Sequence, residues 1–314
     1  MKISINNGDS AVHTGFGHAT LKLISNIAKT EHSVLINRSS NFEMTFGHPN
    51  HYKFINPNAY KIGYTAWEST EIQPSWVEQL SEIDELWVPN NFCKDVFSNH
   101  FDKPIIVFPH GVDATFATKE REYDGTLKFL HIGFPALRKN ANDVIEAFLD
   151  LYKGRTDVTL TIKAYENCAV PGLDEPNINI IAKTTSYAEL VEIMHNHDVL
   201  LYPSWGEGFG LIPLQALATG MPVVVTDGWC DYDYFAPDLV VKSELRYSPW
   251  QNIHPGKMFK PDYEDLKEKM LYAEKNIEML LKRHFHSAKD VHEEWSWERV
   301  VKEHFDAVHA RLVV

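Results

Sequence analysis

Glu207 stands between Gly206 and Gly208, and Gly210 follows two residues later, in the segment DVLLYPSWGEGFGLIPLQALATGMPVVVTD over positions 198–227. Glycines at such a turn let a ligand approach the backbone. The first helical turn beyond them offers unpaired N–H groups and the positive end of the helix dipole to a phosphate or carboxylate. A glycine-rich turn is also used for packing alone. A carboxylate beside an anion site is electrostatically awkward, so Glu207 suits hydrogen bonds from sugar hydroxyls better than contact with a phosphate.

The flanking residues say how this turn is held. Asp198 to Pro203 is an apolar run of strand length, and Leu211, Leu214, Leu217 and Ala218 form a helical stripe with Pro213 in its first turn. Gly220 and Pro222 stop the helix, and the β-branched run Val223 to Thr226 supplies a second strand, giving a βαβ unit. The same alternation runs through the chain. Strand-like runs at Lys2–Ile5, Ser33–Ile36, Lys61–Tyr64, Glu85–Val88 and Ile105–Phe108 alternate with helical stretches at His18–Ala28, Ser75–Ser81 and Asn91–His100. A second series runs through Leu127–Ile132, Val158–Ile162, Ile178–Ile181, Val199–Tyr202, Val223–Thr226 and Leu239–Val241. This order implies parallel sheets with crossover helices.

EGFGLIPLQALATGMPVVVTD resembles the donor-site signature of retaining GT-B glycosyltransferases, in particular glycosyltransferase family 4, in which E-x7-E precedes a small residue, glycine and a Pro-Val-Val strand. The resemblance implies an α/β fold of two Rossmann-like domains whose parallel sheets face a central cleft. Residues 1–116 would form the acceptor-binding domain and 117–292 the donor-binding domain, with a charged linker between Asp113 and Tyr123. A terminal helix over about 293–314 would pack back on the first domain, with Trp295 and Trp297 as packing anchors. In the family the first glutamate, here Glu207, faces the donor sugar, and the second accepts from both ribose hydroxyls. Gln215 holds that second position and cannot match a bidentate carboxylate, an expected loss of about 1 kcal/mol. Gly208, Phe209, Gly210 and Leu211 form the turn that would receive the diphosphate.

LKFLHIGFPALRKNANDVIEAF resembles the family's first donor-domain strand, loop and helix, with Gly133 in the loop and Lys139 at its basic position. Phe134 replaces the arginine common after that glycine. Arg138 and Lys139 are either a solvated basic loop or a pair of cations that hold the diphosphate by charge-assisted hydrogen bonds, each worth roughly 1.5 to 3 kcal/mol. In the first domain GDSAVHTGFGHATL matches a flexible glycine loop that would bring Gly15 and Gly17 to the donor phosphates, with His18 beside them on the acceptor side. It lacks the third glycine of a dinucleotide fingerprint, and Asn37 and Arg38, not an acid, end the second strand, which disfavours NAD. YTAWEST ends a strand and offers Trp67 and Glu68. Glu68 is either a helix-start glutamate or the group that orients or deprotonates the acceptor hydroxyl. His110, in HGVDATF, is expected near the interdomain cleft or as a satisfied loop histidine.

The net charge of −13 argues against a protein that coats nucleic acid or anionic membrane. Asn37 to Lys61 is a local exception, read as a long loop. It carries a net +2, with Arg38, Lys53 and Lys61 against Glu43 and several interleaved rings, on the acceptor side. Cys93, Cys168 and Cys230 have no metal-ligand spacing, and no apolar run suits a membrane span. A reducing cytoplasm is expected, or a host's cytoplasm if the chain is virus-encoded. Asp231-Tyr232-Asp233 is formally a metal-type D-x-D but follows a strand, and is read as helix-start chemistry. No metal or cofactor is expected.

The function these residues imply is metal-independent, retaining transfer of a hexose from a nucleoside diphosphate sugar, UDP-linked by preference, to a hydroxyl of a glycan, lipid or small molecule. Three alternatives stand beside it: transfer to hydroxymethylated pyrimidines in DNA, with the Asn37–Lys61 rings stacking a flipped base; a nucleotide-sugar epimerase; and a sugar-nucleotide-binding module without turnover.

Overall fold

The computed structural model describes residues 1–6, 15–134, 136–166 and 174–313, and two six-stranded parallel sheets organise them. The first half contains β1 (Lys2–Asn6), α1 (Gly15–Ile27), β2 (Ser33–Ile36), β3 (Phe42–Phe46), β4 (Tyr60–Tyr64), α2 (Trp76–Ser81), β5 (Glu85–Val88), α3 (Asn91–Ser98) and β6 (Ile105–Val107). Its strand order is β2-β1-β3-β4-β5-β6.

The second half contains β7 (Leu127–Phe134), α4 (Ala141–Tyr152), β8 (Val158–Ala164), β9 (Ile178–Ala182), α5 (Tyr187–His195), β10 (Val199–Tyr202), α6 (Leu211–Ala218), β11 (Val223–Thr226) and β12 (Val240–Val241). The order β12-β11-β10-β7-β8-β9 reverses direction between β7 and β10. That reversal fixes where a ligand can sit, because the crossovers on its two sides leave opposite faces and open a crevice at the strands' carboxyl ends. The β10 and β11 runs, VLLY and VVVT, are buried throughout, as strands covered on both faces must be.

After β12 the chain forms an antiparallel hairpin of β13 (Ser243–Tyr247) and β14 (Lys257–Pro261), then α7 (Tyr263–Lys275), α8 (Ile277–Trp295) and α9 (Trp297–Val313). Trp297, Val300, Val301, Phe305 and Val308 of α9 are buried in the core of the first sheet with Ile3, Ile5, Leu23 and Phe46. The last helix therefore belongs physically to the half of the molecule where the chain began. Trp295 is only partly buried and packs against the second core.

Two elements differ from expectation. Asn37–Lys61 is not one loop, since β3 lies within it, paired parallel to both β1 and β4. Its one acid, Glu43, is fully buried and accepts from Asn6 Nδ2 at 2.7 Å, Ser40 N at 3.1 Å, Ile55 N at 2.6 Å and Asn56 N at 3.0 Å. Phe46 is fully buried, and Phe42, Tyr52, Phe54 and Tyr60 pack against the two cores of this half. Of these rings, expected to stack a flipped base, Phe46 is core and the other four are partly buried. The second difference is the β13–β14 hairpin, which the alternation of strands and helices does not anticipate.

Candidate active site

The strand reversal brings together the two segments that carry the charged residues. Arg138 and Lys139 lie in a short 3-10 turn after β7, and Glu207 lies in the glycine turn after β10. Gly133 shapes the first segment. Its φ is +130°, and a Cβ there would come within 2.9 Å of Lys139 Cγ, so the lysine stem folds across a position open only to glycine. Gly210, at φ +84°, turns the chain into α6 as its N-cap. Tyr232 holds that turn through a short hydrogen bond to Gly210 O.

Glu207 is 5% exposed, and four donors converge on its Oε1: Arg138 Nη1 at 2.6 Å, Lys139 Nζ at 2.5 Å, Ser204 Oγ at 2.7 Å and Tyr202 Oη at 3.2 Å. Lys139 also reaches the Tyr202 hydroxyl in a short contact. Arg138 spans the cleft, since its Nη2 lies 3.0 Å from Glu68 Oε1 on the first domain. Two cations and two carboxylates thus neutralise one another where the domains meet.

The electrostatics follow from that packing. Burial would raise the Glu207 carboxyl, but the charges and hydrogen bonds of Arg138 and Lys139 outweigh it and hold it at about 2. Burial and the neighbouring Arg138 charge press Lys139 down to about 8, against the pull of Glu207. Burial also opposes the Arg138 charge, yet Glu207 and Glu68 more than compensate and raise it. Lys139 is therefore the cation of this cluster that can lose its proton near physiological pH.

The other expected site residues fall into distinct places. Gly208 faces the first domain and not an open crevice, because a Cβ there would meet Ala66 Cβ at 2.5 Å and Trp67 N at 3.0 Å. The room expected for phosphate approach is filled by the chain end of β4. Phe209 is buried against His110, Tyr232 and Trp295, so only its backbone is left to meet a ligand. Leu211 begins α6, and Gln215 within it is 2% exposed, with its Oε1 unpartnered among the described residues.

On the acceptor side, Trp67 is a core ring whose Nε1 donates to Glu71 O at 2.7 Å, which corrects its assignment as a lining residue. His18 is also buried, its ring 4.2 Å from Tyr187 of the second domain, and burial with the Lys22 charge lowers it to about 4. It seals the domain contact. His110 packs among Phe46, Tyr64, Phe209 and Trp297, and neither ring nitrogen has a hydrogen-bond partner among the described residues. Arg38 and Lys53 are exposed. Both hold their loops by backbone hydrogen bonds, to Ser4 Oγ and Thr45 Oγ1, and no contact joins their side chains to the Glu207 cluster among the described residues. Gly15 opens α1 with no atom of the described residues, its own backbone neighbours aside, within 4 Å of where its Cβ would stand, and Gly17 is buried in that helix. The glycine-loop residues 8–14 and Cys168 lie outside the described residues.

Asp231 departs from its helix-start role. Its Oδ2 accepts from Asn91 N and Nδ2, both at 3.0 Å, and so holds the first turn of α3 in the other domain. Among the described residues Glu31, His32 and His309 place potential metal-ligand atoms within 4.8 Å of one another. His32 there is already hydrogen-bonded to the Met1 amine and Asp306, and none of these belongs to the cleft cluster. No described helix is long and apolar enough to cross a membrane.

Sequence reasoning does not single out Tyr202, Ser204 or His254. The first two stand at the carboxyl end of β10, where the rule for ligand sites in open α/β sheets could have found them. His254 lies in the hairpin and has no local signal.

The architecture is GT-B, two Rossmann-like halves with their strand ends facing one cleft. Residues 126–234, the part of the chain that carries Arg138, Lys139 and Glu207, match the family model described as Glycosyl transferases group 1. The chain is 24% identical over 205 residues to "Putative glycosyltransferase 45" of Sulfolobus islandicus filamentous virus, a match covering 61% of this chain and 56% of that protein's length. Among solved structures, sucrose-phosphate synthase from Thermosynechococcus elongatus superposes with a TM-score of 0.72 at 10% identity, over 100% of this chain and 99% of that one. HepE of Anabaena, solved with UDP and glucose, gives 0.68 at 9% identity, over 98% and 99%. At these identities the structural matches bear on the fold alone.

Proposed function

We propose that this protein is a retaining, metal-independent glycosyltransferase that moves a hexose from a nucleoside diphosphate sugar to an acceptor hydroxyl. The observation that carries this reading is the buried Arg138–Lys139–Glu207 cluster at the strand reversal, reached across the cleft by Glu68. Breaking the anomeric C–O bond builds positive charge on carbon and negative charge on the diphosphate, and preorganised cations in a buried site stabilise the latter most. The acceptor oxygen forms the new bond on the face that the nucleotide leaves, and its proton goes to the departing phosphate oxygen. Exchanging Glu207 for a diphosphate on Arg138 and Lys139 replaces one anion by another, so neither cation is left bare, and Glu207 is released toward the sugar hydroxyls. The solved relative holding UDP and glucose supports UDP-glucose as the first donor to try. The packing of Phe42, Phe46, Tyr52, Phe54 and Tyr60 against the two cores of the first domain favours a glycan, lipid or small-molecule acceptor over DNA.

Thermal shift across UDP-glucose, UDP-N-acetylglucosamine and GDP-mannose tests the reading, because a ligand at 100 times its Kd stabilises by about 2.7 kcal/mol. A clear rise in Tm with one donor, followed by release of its nucleoside diphosphate, is expected. No shift with any sugar nucleotide would reject it.

Two further outcomes are expected. kcat/KM for the donor should fall as pH rises through about 8, where Lys139 loses its proton, and Lys139→Arg should keep the profile level, since arginine stays charged. A limb that persists unchanged in that variant would assign the titration elsewhere. Gln215→Glu should tighten the sugar nucleotide by about fivefold, the roughly 1 kcal/mol of a restored second ribose hydrogen bond. It should also lower the Tm of the free protein by burying a carboxylate. Calorimetry showing equal or weaker affinity would remove Gln215 from the ribose position.

A further inference from the structure

The β13–β14 hairpin belongs to the second domain but docks on the first. Thr70 N donates to Lys257 O at 2.9 Å, Lys257 N donates to Thr70 Oγ1 at 2.8 Å, and Gln73 Nε2 donates to Ile253 O at 2.8 Å. Its connecting segment is braced internally. His254 N donates to Trp250 O at 2.7 Å, while Gln251 Nε2 donates to Ser248 O at 2.7 Å and to Gly256 O at 2.8 Å. Gly256, at φ +79°, lets the strand lie against Thr70 and Glu71, where a Cβ would stand 2.5 Å from Glu71 Cγ. His254 is thereby held at a fixed place over the mouth of the cleft.

The His254 ring lies 5.1 Å from the Trp67 ring, and its Nδ1 is buried with no hydrogen-bond partner among the described residues. That nitrogen stands 3.7 Å from Glu68 Oε2, beyond hydrogen-bond length, while Glu68 Oε1 is taken by Arg138. Glu68 therefore has one oxygen on the leaving-group cation and the other facing the histidine. Nδ1 is closed to solvent in this arrangement, so a hydroxyl oxygen about 2.8 Å from both atoms enters by parting the ring from the carboxylate. Burial holds the imidazole below its usual pKa, opposed by Glu68, so the ring is neutral and has one N–H to give.

We infer that His254 and Glu68 together form the acceptor-hydroxyl site, the bound hydroxyl donating to Glu68 Oε2 and accepting from His254 Nδ1–H until its proton turns to the departing phosphate oxygen as the anomeric C–O bond breaks. This rests on the transferase reading above. It assigns the hairpin the task of completing the acceptor site from the donor domain, so that an alcohol is bound only when the two halves meet. The ligand class is a polyol or glycan hydroxyl, a group that both donates and accepts.

The experiment uses the intact protein with the sugar nucleotide that raises Tm most among UDP-glucose, UDP-N-acetylglucosamine and GDP-mannose, and glycerol as the acceptor probe. Nucleoside diphosphate release and glycoside formation are followed together, which gives the ratio of transfer to hydrolysis. His254→Leu should lower that ratio at least about tenfold and raise KM for glycerol, the effect of losing one hydrogen bond at a buried polar site. His254→Asn, which restores an N–H near the Nδ1 position, should recover most of it. An unchanged ratio in His254→Leu overturns the assignment, as does an equal fall of transfer and hydrolysis, which marks a structural role. Wild-type protein that releases no nucleoside diphosphate with or without glycerol overturns the transferase reading, and the acceptor assignment with it.

Discussion

Arg138→Ala is expected to lower kcat/KM for sugar transfer by about 100- to 1,000-fold, the range seen when one preorganised donor to a developing oxyanion is removed. Within the cluster, among the described residues, no other side chain reaches both domains: one guanidinium nitrogen is on Glu207 and another on Glu68. Its removal leaves two carboxylates to share Lys139, whose own proton should then be held more firmly, because the Arg138 charge is one of the forces pressing it down. The alkaline limb of the rate profile should move above pH 8 in this variant. The Glu207 carboxyl should move up as well, since part of what holds it at about 2 is gone. A group whose folded pKa is depressed stabilises the fold above its unfolded pKa and loses that contribution as pH falls through the folded value. The variant should therefore lose less stability than the wild type on acid titration below the unfolded carboxyl pKa, and the loss should end at a higher pH. A rate loss below tenfold would take Arg138 out of the path of the leaving phosphate.

Gly206→Ala is expected to reduce kcat by about 100-fold, because a displacement near 1 Å between reacting groups carries a penalty of that order. A Cβ at this position would lie 2.2 Å from the carbonyl oxygen of Glu68 and 3.1 Å from Met258 Cε. The first obstacle is backbone and cannot rotate away, so the glycine turn and the β4 end must separate. Gly206 has no positive φ to lose, so the backbone conformation itself accepts alanine. Donor affinity measured by calorimetry should change much less than kcat, since Arg138, Lys139 and Glu207 lie within one domain, and small-angle scattering should show a larger radius. Wild-type turnover would mean that this contact is absent from the reacting state.

The contrast between Glu207 and Gly206 shows what was legible beforehand. The strand, glycine turn and helix around Glu207 are local in sequence, and so is the basic turn after β7. Their convergence follows from strand order in a parallel α/β sheet. The function of Gly206 and Gly208 depends on Ala66–Glu68, in the other domain and far away along the chain, and no local pattern encodes that contact. β3 was hidden because Glu43 breaks its apolar pattern, and that acid is tolerated only because four donors from three separate segments reach it. The hairpin with His254 was hidden because Leu245 and Tyr247 are exposed, so its strands carry none of the apolar continuity that marked the others.

Glu207 also has a bearing on how a spent nucleotide would leave. A carboxylate fixed by its own chain beside Arg138 and Lys139 is a tethered competitor, present at a high effective concentration that dilution never lowers. In the proposed cycle an intact sugar nucleotide offsets this rival by offering Glu207 hydroxyls in exchange. Once the sugar has gone, nothing occupies Glu207, and it can recapture both cations. Turnover would then proceed with its own ejector, and inhibition by free nucleoside diphosphate should be weaker than the affinity of the intact donor suggests.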